Sequence, residues 1–263
     1  MRSIYAIYRK EMGHYFVSPI AYVVVGLFLI LCGYFFNVYL SEAVRASMEA
    51  QMQGAQFGMP ANFDVPSEVI RAFLGVLALF LLFFMPMVTM GSYSDERRRG
   101  TMELLMTSPI TETQIVLGKF FASLTLFAVM LLPTVSYILF MWFESDPMPP
   151  VRLVGAGYLG LLLFGGALLA LGQFLSSLTE NPIIAAVLTF AAFLLLWALD
   201  FGAGSGAAGT AEQVVHYLSV INHYQGFTQG VIDTSALVYY VSFIAFFIFL
   251  TVRSVDSMRW RRA

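Results

Sequence analysis

The residues of this sequence that could do chemistry are few and scattered. Lys10 and Lys119 are the only lysines, and Phe120 stands where a phosphate-binding loop of the form G-x-x-x-x-G-K-[ST] needs Ser or Thr after Gly118-Lys119. The run Ala203-Gly204-Ser205-Gly206 lacks the first glycine of an intramembrane serine-protease motif and belongs to a loop. We therefore expect neither ATP hydrolysis by such a loop nor serine-protease chemistry.

Metal binding also has little support in the sequence. The three histidines form no H-E-x-x-H pair, although a site shared by His216 and His223 stays open beside the interpretation of both as interfacial polar residues. Cys32, the only cysteine, lies inside an apolar run, which excludes an intrachain disulfide and a thiolate cluster. We predict no metal site and no catalytic site.

The elements that position any functional residue here are membrane helices. Of the 263 residues, 59% are hydrophobic and 11% are charged, whereas about 25% of a soluble domain is charged. The net charge of -2 argues against a nucleic-acid partner. Crossing about 30 Å of hydrocarbon takes roughly 20 apolar residues. We predict one all-α integral membrane domain, residues 1–263, with transmembrane helices at residues 19–40, 69–91, 118–142, 152–176, 182–200 and 235–252.

The distribution of Lys and Arg sets the predicted orientation, because cytoplasmic flanks hold an excess of them. With the N-terminus inside, all but three of the 14 Lys and Arg residues are cytoplasmic, the exceptions being Arg45, Arg71 and Arg152. Both termini are therefore predicted to be cytoplasmic. No carboxylate, Lys or Arg lies in the middle of a predicted span, where an ion-coupled carrier usually keeps one.

Two segments outside the spans are predicted to lie at the membrane surfaces. Apolar residues between Ile4 and Phe16 share one side of an amphipathic helix, with Glu11 as the exception, although the segment could also be only a basic flank. The glycine-rich run after Phe201 and the capping box Thr210-x-x-Gln213 predict a short or re-entrant helix outside, between spans five and six. That helix could meet substrate or act as a lid without substrate contact.

The segment from Asp95 to Lys119 has the highest density of charge. Gly100 is expected to end the helix that leaves span two, and Thr101 to cap a short helix that Ser108-Pro109 stops. Thr111-x-x-Gln114 is a capping box for the next helix. The short helix carries apolar residues with no obvious cover from the chain itself, namely Met102, Leu104, Leu105 and Met106. It suits the docking of a soluble partner, or it is an ordinary basic loop whose helix lies in lipid.

The residues from Glu96 to Ile110, followed by Gly118-Lys119, resemble the cytoplasmic loop of type-2 ABC exporter permeases. The shared pattern is an acidic residue, basic residues, Gly-Thr, a Glu-Leu-Leu core, and then Pro and a hydrophobic residue. The C-terminal residues from Leu218 to Arg253 look like the branch of gliding-motility-associated permeases. The resemblance covers nearly the whole chain.

This resemblance implies an N-terminal elbow helix, six spans, a cytoplasmic coupling helix, and outer re-entrant helices between spans five and six. It implies a bacterial inner-membrane transporter of two permeases, as a homodimer, and two separate ATP-binding subunits that hold ATP and Mg. It is also compatible with an auxiliary membrane protein. The residues implied in contact with the ATPase are Glu96, Arg97, Arg98, Gly100, Thr101, Met102, Glu103, Leu104, Leu105 and Pro109.

The predicted function is that of a permease subunit, itself no enzyme, which moves an unknown substrate out of the cytoplasm or inner membrane at the cost of ATP hydrolysed elsewhere. An ATP-independent carrier or channel is the first alternative, and the lack of buried ionisable residues counts against it. A multispan membrane enzyme is the second. It would need His, Asp, Glu or Ser residues clustered at one membrane depth.

Overall fold

The computed structural model describes residues 2–57, 63–106, 109–203 and 219–260, and these residues form helices without any strand. A 3-10 turn, Leu132–Thr134, joins α6 to α7. The helices are α1 (Arg2–Val17), α2 (Pro19–Phe57), α3 (Val65–Thr89), α4 (Gly91–Arg98), α5 (Thr101–Met106), α6 (Glu112–Leu131), α7 (Val135–Glu144), α8 (Val151–Leu178), α9 (Pro182–Ala203), α10 (Val220–Thr228) and α11 (Thr234–Trp260).

Five stretches of the described chain are long and apolar enough to cross a membrane. The apolar part of α9 with described side chains, Pro182–Ala198, is shorter than these five. An all-helical membrane protein is therefore confirmed, while the count of six spans stays a prediction. The five stretches are Pro19–Gln53, Val65–Arg98, Glu112–Glu144, Val151–Leu178 and Thr234–Met258.

Helix α2 extends well beyond the predicted end of the first span at residue 40. It continues to Phe57, about 25 Å further at 1.5 Å per residue. The prediction ended the span at residue 40, just before the first charged residue, Glu42, but Glu, Arg, Ala, Met and Gln in this stretch all favour helix. The end of the apolar run is therefore not the end of the helix.

Local sequence signals account for several helix boundaries, including the predicted capping box at Thr111. The capping box at Thr111 is present, with the Gln114 backbone N–H donating to the Thr111 hydroxyl. The Ile183 N–H donates to Asn181 Oδ1 over 2.9 Å at the start of α9. Pro133 lies in the 3-10 turn that interrupts the third predicted span. Proline removes one backbone donor and disturbs the helix there.

Helix α8 lies at the centre and packs against α3, α4, α6, α9, α10 and α11. Its small residues let neighbouring helices approach closely, as is typical of membrane bundles. A Cβ at Gly165 would clash with the Phe127 ring, and one at Gly172 would clash with the Thr89 side chain. The interior is therefore built around one glycine-rich helix.

Helix α10 packs among α3, α8, α9 and α11 at one end of the bundle. The buried Tyr224 hydroxyl donates to the Leu74 carbonyl over 3.0 Å, and the Tyr240 hydroxyl donates to the Val220 carbonyl over 2.7 Å. The helix begins at Val220, after Ser219 as its capping residue, and does not test the short helix predicted to start at the capping box Thr210-x-x-Gln213. That box and His216 lie outside the described residues.

Candidate functional site

The candidate site is the pair of short helices between α3 and α6. Helix α4 ends at Arg98 and α5 begins at Thr101, with Gly100 between them at φ 70°. The Gly100 N–H donates to the Arg97 carbonyl over 3.1 Å. Nothing lies within 4 Å of a Cβ placed on Gly100, so its left-handed backbone and not lack of space requires glycine. The predicted break at Gly100 is confirmed.

The two ends of α5 differ from their predicted chemistry. Thr101 is the first helical residue and not the capping residue before it, and its hydroxyl donates to the Glu96 carbonyl over 3.4 Å. The expected cap is therefore misplaced by one residue. Pro109 lies exposed after α5, and Thr107 and Ser108 lie outside the described residues.

One face of α5 is anchored to the rest of the chain. Met102 is 4% exposed and packs with Tyr93, Val116 and Val255, a group we call the α5 anchor. Leu105 packs against this anchor and is partly buried. The expectation that Met102 lacks cover is wrong, because α6 and α11 cover it. The side chains of Glu103, Leu104 and Met106 lie outside the described residues.

The arginines of α4 bind within the chain. Arg97 donates to the Ser177 carbonyl and to a Glu180 carboxylate oxygen, each over 2.9 Å. These contacts tie α4 to the end of α8 and to the turn that follows it. Arg98 is exposed and pairs with Asp95 over 3.1 Å on the same helix, a kind of pair that adds little stability.

A side chain from α8 caps the start of α4. The break at Met90 separates α3 from α4, and the Ser176 hydroxyl oxygen accepts from the Tyr93 and Ser94 N–H groups over 3.2 and 3.3 Å. The same hydroxyl donates to the Met90 carbonyl over 2.9 Å. Ser176 thus meets backbone groups of α4 at its first turn. Helix α4 is fixed to α8 at both of its ends.

A group of four charges lies at α4, and we call it the ion cluster: Glu11, Glu96 and Lys119, which are largely buried, and Lys10, whose side chain is 58% exposed. Lys119 Nζ lies 3.0 Å from a Glu11 oxygen, 3.0 Å from a Glu96 oxygen and 2.8 Å from the Ser92 carbonyl oxygen. Lys10 Nζ lies 2.9 Å from the other Glu96 oxygen. The Lys119 side chain is 2% exposed. The ammonium therefore donates hydrogen bonds to Glu11 and to the Ser92 carbonyl, and it forms an ion pair with Glu96.

The ion cluster stabilises the charged form of Lys10. Burial disfavours its ammonium, but the hydrogen bonds and charges of Glu96 and Glu11 outweigh this, so the pKa of Lys10 is raised above its ordinary value. Lys10 is consequently cationic throughout the physiological pH range. The four charges of the ion cluster sum to zero.

The ion cluster was missed from the sequence, and the expectation that the chain lacks buried ionisable residues is wrong, since Lys119 and Glu11 are both buried at the start of the third predicted span. One signal nevertheless pointed to the cluster. Glu11 is the residue that breaks the apolar side of the N-terminal helix, and the structure buries it to 8% exposure beside Lys119. A carboxylate on an apolar face predicts a buried partner. The neighbouring Gly118 serves the same contact, since a Cβ there would lie 2.8 Å from Ile7 Cγ2. Gly118-Lys119 thus packs α1 on α6.

The histidines offer no metal site among the residues that the structure describes. No group of three or more His, Cys, Asp or Glu residues there could hold a metal ion. His223 Nδ1 lies 2.9 Å from the Ser219 carbonyl oxygen, and its ring stacks on Tyr239 with centroids 4.0 Å apart. The hypothesis of a site shared with His216 concerns a residue outside the described chain.

Comparison with known families decides what kind of protein carries this arrangement. The family model described as ABC-2 family transporter protein matches residues 5–255. The chain belongs to the ABC-2 transporter family. A search of curated proteins finds no significant match. The match encloses α4, α5 and the ion cluster, so these features lie within the membrane component of an ABC-2 transporter, and membership implies an ATP-binding partner.

Proposed function

We propose that this ABC-2 protein is the permease subunit of an ATP-driven transporter and that a separate ATPase subunit docks on α5. The observation that carries the proposal is the placement of α5. It is a short helix set apart by Gly100 and Pro109 and anchored on one face by Met102. A helix held in this way can receive a force from outside and pass it to the bundle.

The docking face follows from the helical period. Met102 and Leu105 lie on the anchored side, and at 100° per residue positions 103 and 104 lie away from it. Glu103 and Leu104 are therefore the central contacts, with Thr101, Arg98 and Pro109 around them. Arg97 and Glu96 are occupied within the chain and position α4. ATP and Mg belong to the partner, and this chain binds neither.

Contacts between particular helix ends support six crossings. The Ser177 hydroxyl near the end of α8 contacts the Ser254 hydroxyl near the end of α11 over 2.8 Å. Gly230, after α10, packs against Leu153 at the start of α8. The chain therefore leaves α8 at the end that holds α5 and re-enters α11 at the other end, and α9 is the described helix that makes this passage. With the excess of Lys and Arg, this favours cytoplasmic termini in a bacterial inner membrane.

The proposed assembly has two permease copies and two ATPase subunits. Helices α2 and α11 keep large apolar side chains exposed, including Ile30 at 71% and Val238 at 61%, and lipid or a second copy must cover them. Export as the direction, an auxiliary membrane protein and the gliding-motility-associated branch rest on the resemblance of the loop and the C-terminal residues alone.

Affinity purification of the tagged permease in mild detergent tests the proposal. Mass spectrometry of the product should find a soluble ATPase with a phosphate-binding loop in 1:1 ratio, and the product should hydrolyse ATP. A lone permease that is indifferent to ATP in several detergents would instead favour an ATP-independent carrier or channel.

A further inference from the structure

The ion cluster joins three elements that are separate in sequence. Glu11 belongs to α1, Glu96 to α4, and Lys119 to α6. The Lys119 ammonium contacts both carboxylates over 3.0 Å and also lies 5.3 Å from the centroid of the Tyr93 ring on α4. One buried cation thus links the N-terminal helix, the helix before α5 and the start of α6.

This linkage is stiff because separating its charged residues has a high free-energy cost. Lys119 and Glu11 are shielded from water, with side chains 2% and 11% exposed, and a buried charge that loses its partner is strongly destabilising. Ile7 sits against Gly118 and leaves no room for a Cβ, so the backbones of α1 and α6 are in close contact beside the charges. Glu96 in turn lies only five residues before α5.

We propose that Lys119 is a positioning residue that makes α1, α4 and the start of α6 move as one unit, so that a displacement of α5 by the ATPase reaches α1. This inference rests on the proposed function, because it needs a partner that displaces α5. It adds a route for that displacement that passes through Glu96 and Lys119 to Glu11. Docking on α5 does not depend on this route.

The α5 anchor supplies a second connection that sharpens the test. Met102 and Tyr93 pack on Val116 of α6 and Val255 of α11, so α5 keeps apolar contact with the bundle when the ion cluster is removed. The ATPase should therefore still bind and still move α5 in a variant without the cluster. Only the response of α1 should be lost.

The experiment measures distances between spin labels in the purified complex with and without ATP and vanadate. Gly13 on α1, Arg99 between α4 and α5, and Ser257 on α11 are all exposed. Two double-cysteine variants carry the labels: Gly13→Cys with Ser257→Cys, and Arg99→Cys with Ser257→Cys, so that Ser257 is the shared reference. Cys32 is buried and serves as an internal check of labelling specificity. In the unmodified background, nucleotide should shift the distances of both pairs.

The Lys119→Met variant should keep the shift of the Arg99–Ser257 pair and lose that of the Gly13–Ser257 pair. Lys119→Arg, which keeps the charge, should restore the second shift. If Lys119→Met fails to fold because Glu11 and Glu96 are left buried and unpaired, the triple variant Glu11→Gln, Glu96→Gln, Lys119→Met removes all three charges together and should show the same selective loss.

Two results would overturn the inference. In the first, nucleotide shifts both distances in the Lys119 variants as it does in the unmodified background. In the second, nucleotide leaves the Gly13–Ser257 distance unchanged in the unmodified background. Loss of the ATPase from the unmodified complex is a different outcome. It would refute the proposed function itself, and the inference with it. Recovery of the ATPase with Lys119→Met separates the two failures.

Discussion

At the scale of single residues, the site is held by contacts that look unremarkable in the sequence. Gly118 and Lys119 resemble half of a nucleotide-binding motif and instead bring α1 against α6. Glu11 looks like a flaw in an amphipathic helix and instead neutralises Lys119. Sequence patterns could identify these residues as exceptions. They could not pair them, since 108 positions separate Glu11 from Lys119.

The close approach at Gly118 predicts a specific loss of stability. Gly118→Ala would place a Cβ 2.8 Å from Ile7 Cγ2 and 3.2 Å from the Ile4 carbonyl oxygen, and such overpacking costs about 1–3 kcal/mol. The free energy of unfolding in detergent should fall by about that amount. Gly75→Ala is the matched control, because nothing lies within 4 Å of a Cβ there. Equal stability of the two variants would contradict the packing of α1 described above.

At the scale of elements, the sequence predicts helices well and their outer ends poorly. Breaks at Gly100 and Pro133 and the cap at Thr111 are local chemistry, so they can be predicted without knowledge of the fold. The extension of α2 to Phe57 could not be predicted in this way, because a rule based on charge-free runs ends the span before Glu42. The cover over Met102 depends on α11, which is distant in sequence.

The packing of α10 predicts the effect of removing one hydroxyl. Tyr224→Phe takes away a buried hydrogen bond to the Leu74 carbonyl and should lower the free energy of unfolding by about 1 kcal/mol. Tyr22→Phe removes the hydrogen bond that the exposed Tyr22 hydroxyl donates to the Phe16 carbonyl, and it should change the free energy of unfolding far less. Unfolding followed by tryptophan fluorescence in mixed detergent compares the two. A loss no larger in Tyr224→Phe than in Tyr22→Phe would contradict the anchoring of α10.

The short helix α5 predicts a change in binding without a change in folding. Glu103→Arg together with Leu104→Asp should detach the ATPase while the permease stays folded, because both positions lie away from the α5 anchor. Co-purification measures the effect. Glu49→Arg together with Met52→Asp makes the same kind of change at exposed positions of α2 and should leave the ATPase bound. Unchanged recovery with the first variant would refute the docking face.

At the scale of the whole molecule, the central question is how many times the chain crosses the membrane. Five described stretches meet the length and hydropathy of a span, and α9 is apolar but shorter where its side chains are described. Composition alone predicts the membrane class. To deduce the number of crossings, one also needs contacts between the ends of helices, such as that between Ser177 and Ser254.

Labelling from one side of the membrane distinguishes six crossings from five. In intact cells, a membrane-impermeant maleimide should modify Met52→Cys and should leave Arg99→Cys and Ser257→Cys unmodified, because six crossings put the last two inside. Five crossings, with α9 left out, would place Ser257 outside and make Ser257→Cys reactive. Permeabilised cells, in which all three should react, supply the control.

The most direct test of the account is photo-crosslinking from α5 in native membranes. A photoreactive phenylalanine analogue at position 104 should form an adduct with a protein that carries a phosphate-binding loop, and the same analogue at the exposed position 52 should not. Adducts from position 104 that contain only lipid or a second copy of this chain would contradict docking of an ATPase on α5.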